Sequence, residues 1–178
     1  GPLASKERYK LFQNLQETAA PKAVFIRKGH YTLKMLAKEI NDPDLIDQMA
    51  RNFGSQFVTL AVDAKQIDGG WKVFINGGRI NTNRDLFEWA REGQERGCGE
   101  ILFTSMDHDG AKAGYATEPL NEMSQTLTIP VIASGGAGSM EHFSEVFTQT
   151  RVDAALAASI FHYHEIGIGE LKSYLKEQ

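Results

Sequence analysis

The sequence predicts an α/β fold, in which parallel βα units form half of a (β/α)8 barrel plus an N-terminal extension. Two observations predict it. From Phe57 onward, short apolar runs rich in β-branched residues alternate with amphipathic stretches, which is the order of parallel βα units with right-handed crossovers. Four such strands are expected, half the number that closes a (β/α)8 barrel. The 178 residues suit one domain with a sizeable core.

The chain divides into three parts on sequence alone. Residues 1–5 look like an expression-tag scar left by a protease and are set aside. Residues 6–41 form an unrecognised N-terminal segment, and residues 42–178 form the half-barrel.

The N-terminal segment is expected to contain a helix, a short strand and a second helix. Leu11, Phe12 and Leu15 recur at helical spacing between Lys6 and Thr18, and Ala23 to Ile26 is strand-like. Tyr31 to Ile40 has an amphipathic pattern and is predicted to be helical. The short strand could pair beside Phe57 to Val62, with the stretch from Tyr31 to Met49 as crossover.

The first part of the half-barrel combines a helix, a strand and a hairpin. Asp42 is expected to cap a helix that starts at Pro43 and ends at Phe53-Gly54. A strand from Phe57 to Val62 follows and ends in Asp63. Asp68-Gly69-Gly70 predicts a hairpin tip, because Trp71, Val73 and Ile75 alternate after it.

The remaining elements follow a regular rhythm. Asn83 leads into a helix, and a polar, glycine-containing loop covers Met106 to Tyr115. The predicted helices and strands are, in order, a helix at Arg84 to Glu95, a strand at Glu100 to Thr104, a helix at Pro119 to Leu127, a strand at Ile129 to Ala133, a helix at Met140 to Thr148, a strand at Val152 to Ala158 and a helix from about Ile168 to Lys176.

Two neighbouring strand ends predict a phosphate site. Ser134, Gly135 and Gly136 follow the Ile129 to Ala133 strand directly, and Ser139 can cap the next helix. A strand, a glycine turn and a helix start present backbone N–H groups to an anion. The next apolar strand also ends in Ser159. A tight βα turn explains the glycine pair about as well, but the repetition one βα unit later favours the anion.

Composition excludes several classes of function. A net charge of −4 offers no positively charged surface for nucleic acid. The sequence contains no run of eighteen apolar residues, the length that a membrane-spanning helix requires. The single Cys98 permits no intramolecular disulfide and no metal cluster, and at a helix-to-strand turn it is expected to be a buried small residue. Asp107, His108 and Asp109 offer too few converging oxygens for a hard cation. We expect no cofactor, and we expect a cytoplasmic location.

Several stretches, in order and at plausible spacing, carry a resemblance to one known family. They are FGSQ (53–56), AVDAK (61–65), NGGR (76–79), GEILFTSMDHDG (99–110), IPVIASGGAG (129–138), EHF (141–143), DAALAASIFH (153–162) and IGELKSYL (168–175). From about Asp42 to the C-terminus the chain resembles the cyclase subunit of imidazole glycerol phosphate synthase, a lyase of histidine biosynthesis.

The resemblance implies a (β/α)8 barrel and an ammonia-using reaction. In that family the subunit takes ammonia from a glutaminase partner. It adds the ammonia to a phosphoribulosyl-formimino carboxamide ribotide and splits the product into imidazole glycerol phosphate and an aminoimidazole carboxamide nucleotide. The chemistry is assigned to two aspartates, one on the first strand and one on the fifth.

The resemblance also implies roles for residues of this chain. Asp63 matches the fifth-strand catalytic aspartate, and Glu100 matches one of the charged residues that gate the ammonia entrance. The residues that match the substrate-binding and phosphate-binding positions are Thr104, Asp109, Gly110, Ser134, Gly135, Gly136, Ala158 and Ser159.

The segment from Lys6 to Ile40 departs from the family pattern. It contains no aspartate, and its acidic residues Glu7, Glu17 and Glu39 all fall on predicted helices. The first-strand catalytic acid is therefore expected to be missing, which predicts weak or absent turnover. An engineered chimera or fragment is the expected origin of such a chain. The alternative function is a non-catalytic, phosphate-binding half-barrel.

An open half-barrel also predicts self-association. Four parallel strands leave two unpaired edges and an apolar inner face, whereas closing a barrel removes the edges. A homodimer or higher homo-oligomer that buries this face is expected. Docking of a glutaminase is a weaker expectation, since most docking residues of the family precede the matched region.

Overall fold

The computed structural model describes residues 24–27, 30–36 and 40–177, with the side chains described from residue 40 onward. The helix predicted over Lys6 to Thr18 lies outside these residues. The strands are β1 Val24–Arg27, β2 His30–Leu36, β3 Val58–Ile67, β4 Gly70–Ile75, β5 Ile80–Asp85, β6 Glu100–Ser105, β7 Val131–Ser134 and β8 Ala154–Leu156. The helices are α1 Asp44–Phe53, α2 Leu86–Glu95, α3 Thr117–Thr126, α4 Met140–Gln149, α5 Ser159–His162 and α6 Ile168–Lys176, with a 3-10 turn at Ser55–Phe57.

The predicted α/β fold of parallel βα units is confirmed. The described strands form one mixed sheet in the order β1-β2-β3-β6-β7-β8, with β4 and β5 joined to the side through β3. The strands β3, β6, β7 and β8 run parallel, and helices connect β6 to β7 and β7 to β8. This arrangement is compatible with half of a barrel.

The helical prediction for Tyr31 to Ile40 is wrong over its first part, because His30–Leu36 is strand β2. This strand pairs in parallel with β3, and Leu33 lies opposite Val58. Tyr31, Leu33 and Met35 alternate with polar residues, which is the period of two typical of a strand. The helical spacing of other apolar residues in the same stretch obscured this period. Pairing with β3 satisfies the backbone of β2 and decides between the two periods.

The short strand predicted over Ala23 to Ile26 exists as β1, but its predicted partner is wrong. It pairs with β2 in antiparallel fashion, with Val24 opposite Leu33, rather than with β3. The connection between them is only two residues long, which suits a hairpin and is too short for a parallel crossover.

Strand β3 is longer than predicted and does not end at Asp63. Its parallel pairing with β6 ends at Ala64 opposite Ser105, and beyond this point it continues as one arm of the hairpin with β4. The hairpin tip predicted at Asp68-Gly69-Gly70 is confirmed, with Ile67 opposite Gly70. Asp63 therefore lies near the carboxyl end of the parallel part of the sheet.

Strand β5 occupies residues for which no strand is predicted, and the helix predicted from Arg84 begins at Leu86 instead. Pairing with β4 holds this segment extended, and Thr82 Oγ1 donates to the carbonyl of Val73. The side chain of Asp85, rather than Asn83, then caps α2. The predicted cap of α1 is likewise wrong, since Pro43 is the N-cap and no side chain caps this end.

Alternation along the central strands separates two faces of the sheet. Leu60 of β3 points toward α2, because a Cβ on Gly93 of that helix would lie 2.4 Å from Leu60 Cδ2. Phe103 of β6 is fully buried on the same face. Thr59, Asp63 and the other residues of opposite parity face the other way. The apolar core thus lies between the sheet and its helices, and the second face carries polar residues such as Asp63 together with apolar ones such as Leu102 and Ile132.

Candidate phosphate and catalytic site

A cavity of about 260 Å³ lies at the carboxyl end of the parallel strands. Asp63 of β3 and Thr104 of β6 are register partners and line it together. Its other lining residues are Gly77, Gly78, Met106 and Asp109. The carboxyl ends of parallel strands are where barrel enzymes place their catalytic groups, so three of the predicted site residues meet at the expected place.

The loop from 106 to 116, between β6 and α3, brings Asp109 into this cavity. The backbone N–H of Asp109 donates to the carbonyl of Ser105 at 2.9 Å, which folds the loop back over the strand end. His108 Nδ1 lies 2.8 Å from Ser105 Oγ. A Cβ on Gly135 would lie 3.5 Å from the Cα of Asp109, so this loop packs on the glycine turn after β7.

The glycine pair is required by close backbone approach. Gly135 and Gly136 have φ of 86° and 108°, a region that favours glycine. A Cβ on Gly136 would lie 1.9 Å from the carbonyl oxygen of Gly114, and one on Gly135 would lie 2.6 Å from that of Ser105. The N–H of Gly114 also donates to the carbonyl of Gly136 at 2.9 Å. Close packing on the end of β6 and on the 106–116 loop therefore accounts for both glycines.

The two strand ends predicted to form a phosphate cradle are adjacent. β7 and β8 are parallel neighbours, with Ser134 opposite Leu156. Ser159 begins α5 and is half-buried, while Ala158 before it is exposed. Tyr115 of the 106–116 loop donates its hydroxyl to the carbonyl of Leu156 at 3.1 Å. The loop thus contacts both strand ends.

The N-terminus of α4 is arranged differently from the prediction. Ser139 occupies the N-cap position, but its side chain makes no capping hydrogen bond to the backbone. It bonds the carboxylate of Glu141 instead, which lowers the pKa of that carboxyl group. The N–H of Gly138 donates to His142 Nδ1 at 3.1 Å. The imidazole of His142, within the EHF motif, thus contacts the turn that precedes α4.

Glu100 lies at the opposite end of the sheet from the cavity. Its carboxylate accepts a hydrogen bond from the hydroxyl of Thr59, its register partner on β3. Cys98 nearby is buried, as predicted. Burial, followed by the negative charge of Glu100, raises the pKa of the Cys98 thiol to about 12. This cysteine therefore stays a neutral thiol at neutral pH.

Two polar side chains of the loop that contains Asp107, His108 and Asp109 form hydrogen bonds to neighbouring protein groups. Asp107 Oδ2 accepts from the N–H of Gln66 at 2.8 Å, and His108 contacts Ser105. Within residues 40–177 no cluster of three or more histidine, cysteine or acidic side chains could hold a metal ion.

No helix in the described part of the chain is long and apolar enough to cross a membrane.

Comparison with known proteins identifies the family. A family model described as "Histidine biosynthesis protein" matches residues 26–167, which include every residue placed in the cavity and at the two strand ends. The chain belongs to this family. The match begins upstream of Asp42, so it includes β2 as well as the parallel strands that follow.

Individual relatives agree with the family match. The chain is 60% identical over 153 residues to the imidazole glycerol phosphate synthase subunit HisF of Phocaeicola vulgatus and 57% identical over 153 residues to that of Bacteroides fragilis strain YCH46. It is 58% identical over 151 residues to that of Campylobacter concisus. These alignments cover 85–86% of this chain and 59–61% of the relatives. The chain therefore spans about three-fifths of the length of the curated relatives it matches.

Proposed function

We propose that this chain binds a phosphorylated ribotide through the strand ends of β7 and β8 and presents Asp63 to it as a proton-transfer group. The observation that carries the proposal is the meeting of Asp63, Thr104 and Asp109 in one cavity beside Gly135. A carboxylate, a hydroxyl and a glycine turn at neighbouring strand ends suit a substrate that has both a reacting centre and a phosphate.

The substrate class follows from the relatives. They are named imidazole glycerol phosphate synthase, so a phosphate-bearing molecule is the natural ligand to propose for this site. We propose the cyclase reaction, in which ammonia converts a phosphoribulosyl-formimino carboxamide ribotide into imidazole glycerol phosphate and an aminoimidazole carboxamide nucleotide. Asp109, Gly110, Gly135, Gly136, Ala158 and Ser159 would hold one phosphate, with Thr104 and Ser134 beside the substrate.

We propose that turnover by this chain is weak. Ring closure and cleavage require proton transfer at two positions of the substrate, which two separate groups perform better than one. In the described cavity Asp63 is the carboxylate assigned to proton transfer, since Asp109 is assigned to phosphate binding. The alternative is a phosphate-binding half-barrel without catalysis, and Asp63 would then have no role in turnover.

Ammonia-dependent turnover of the cyclase substrate separates the two functions. Slow turnover that Asp63→Asn abolishes, with phosphate affinity retained, supports the enzyme. Phosphate binding that Ser159→Asp abolishes, with no turnover by the unaltered chain, supports the non-catalytic alternative. Turnover that Asp63→Asn leaves unchanged contradicts the role of Asp63, and failure to bind phosphate contradicts both functions.

We further propose that Glu100 belongs to an ammonia entrance. It lies at the end of β6 away from the cavity, on the strand face that also carries Thr104, and Thr59 fixes its carboxylate. Ammonia that enters there would reach Asp63 along that face of the sheet. A glutaminase subunit would supply it, as the resemblance to the cyclase subunit suggests.

We also propose that the chain forms a homodimer or higher oligomer through the sheet face opposite its helices. Ile132 and Leu156 are apolar residues on this face and remain half-buried. A second copy would remove them from water at about 25 cal/mol per Å² of apolar surface. The same contact would cover the edge strands of the sheet, which in a closed barrel would be paired with each other.

A further inference from the structure

Two charged contacts tie the 106–116 loop to its surroundings on either side of Asp109 and Gly110. Before them, Asp107 Oδ2 accepts a hydrogen bond from the N–H of Gln66 at 2.8 Å. After them, Lys112 Nζ lies 2.6 and 2.7 Å from the two carboxylate oxygens of Glu165. The residues assigned to the phosphate therefore lie between two anchors.

The first anchor joins the loop to the strand that carries Asp63. Gln66 belongs to the same strand, β3, three residues beyond Asp63, and is paired with Trp71 in the β3–β4 hairpin. Asp107 Oδ1 also lies 3.9 Å from Lys65 Nζ, so the carboxylate faces a cation as well as an N–H donor. This contact fixes the distance between the wall of the cavity that carries Asp63 and the loop that carries Asp109.

The second anchor joins the loop to the segment after β8. The N–H of Glu165 donates to the carbonyl of Ile160 at 2.9 Å, which connects Glu165 to α5, the helix that Ser159 begins. Lys112 itself packs on the glycine turn, since a Cβ on Gly138 would lie 2.5 Å from the Lys112 carbonyl oxygen. The Lys112–Glu165 ion pair thus connects the loop, the turn after β7 and the start of α5.

We propose that Asp107 and the Lys112–Glu165 ion pair are positioning groups of the phosphate site. They hold the loop between β3 and α5, so that Asp109 and Gly110 remain against Gly135 before the ligand arrives. The proposal rests on the proposed function, in which this site takes a phosphate. A site ordered in advance loses less conformational entropy on binding, so these contacts raise affinity without touching the ligand.

Exposure favours a role in binding over a role in folding. The side chains of Asp107, Lys112 and Glu165 are 31%, 42% and 39% exposed. Contacts between groups this accessible contribute little to the free energy of unfolding. Their loss is therefore expected to change phosphate affinity while the melting temperature stays nearly constant.

The test is a titration of inorganic phosphate into the ¹⁵N-labelled 178-residue chain, followed by amide chemical shifts. We expect Asp107→Ala to weaken binding by about threefold to tenfold, the range that loss of a partly exposed, charge-assisted hydrogen bond allows. Asp107→Asn is expected to restore most of the affinity, because its amide oxygen still accepts from Gln66. Asp68→Asn, at the exposed hairpin tip with φ of 49°, is the matched control and should bind as the unaltered chain does.

The ion pair is tested by exchanging its charges. Lys112→Glu is expected to weaken phosphate binding by about threefold or more, and adding Glu165→Lys to it should restore the affinity at unchanged net charge. A double variant as weak as Lys112→Glu would make Lys112 a direct ligand and overturn its positioning role.

Two further results would overturn the inference. Affinity that Asp107→Ala leaves unchanged, in a chain that binds phosphate and loses it in Ser159→Asp, refutes the role of Asp107 and leaves the proposed function intact. An unaltered chain that binds no phosphate refutes the inference together with the proposed function.

Discussion

Single residues at the carboxyl end of the sheet are constrained by backbone contacts more than by side-chain chemistry. Gly136 illustrates this, since its φ of 108° and its approach to the Gly114 carbonyl leave no space for a side chain. Asp63 is positioned by the backbone as well, because its register with Thr104 brings it to the cavity. The site therefore depends on a few glycines that let a loop lie against a strand end.

Replacement of Gly136 by alanine is expected to destabilise the chain by more than about 2 kcal/mol. Both the left-handed backbone and the clash with Gly114 oppose the added methyl group. Chemical denaturation measures the effect. Gly169→Ala is the matched control, because a Cβ there meets nothing within 4 Å and the position is in α6, so it should stabilise by about 0.5–1 kcal/mol. Equal stability of the two variants would contradict this account.

At the scale of elements, helix termini and ion pairs fix how α1 and α2 lie on the sheet. The guanidinium of Arg96, at the end of α2, contacts Asp47 of α1 at 2.7 Å and Glu92 of its own helix at 2.7 Å. These carboxylates raise the pKa of Arg96 above its usual range. At the other end of α2, Asp85 Oδ1 accepts from the N–H groups of Phe87 at 2.9 Å and Glu88 at 3.2 Å.

Removal of the α2 cap is expected to cost more than removal of the corresponding residue of α4. Asp85→Ala leaves two N–H groups of α2 without their acceptor, which should lower the free energy of unfolding by about 1 kcal/mol. Ser139→Ala should cost less than about 0.5 kcal/mol, because the Ser139 side chain caps no backbone group. Urea denaturation of both variants decides the matter, and a larger loss in Ser139→Ala would disprove the assignment.

At the scale of the whole molecule, an open sheet faces the problem of its second face. The helix-facing residues of β6 and β7, such as Phe103 and Val131, are fully buried, whereas Ile132 on the opposite face is half-buried. The proposed oligomer would cover this face. It would also bring two copies of the candidate site into one assembly, each with its own Asp63.

Sedimentation velocity tests the oligomer. A species heavier than the 19.7 kDa chain is expected at micromolar concentration. Ile132→Glu should shift it to the monomer, because a carboxylate buried between two sheets would be desolvated. Ile80→Glu, at a 48% exposed isoleucine on the β4–β5 side of the sheet, is the control and should leave the oligomer intact. A monomer for the unaltered chain at all concentrations would exclude self-association.

Three features could be predicted from the amino-acid sequence alone: the alternation of strands and helices from Glu100 onward, the hairpin tip at Asp68-Gly69-Gly70 and the burial of Cys98. Each of these depends on local pattern, either apolar periodicity or turn chemistry, which neighbouring residues carry. The motifs also sufficed to indicate the family, since all of them except the last, IGELKSYL (168–175), lie within residues 26–167 that its model matches. Local pattern did not suffice at Tyr31 to Ile40, where one segment has both a period of two and a helical spacing.

Two other features depend on contacts between distant parts of the chain: the strand character of β2 and β5, and the anchors of the 106–116 loop. Strand β2 exists because β3 offers it a parallel edge, and β5 because β4 does. The contact between Asp107 and Gln66 joins residues 41 positions apart, and that between Lys112 and Glu165 joins residues 53 apart. No local pattern encodes such pairs, since they depend on which strand ends the register of the sheet brings together.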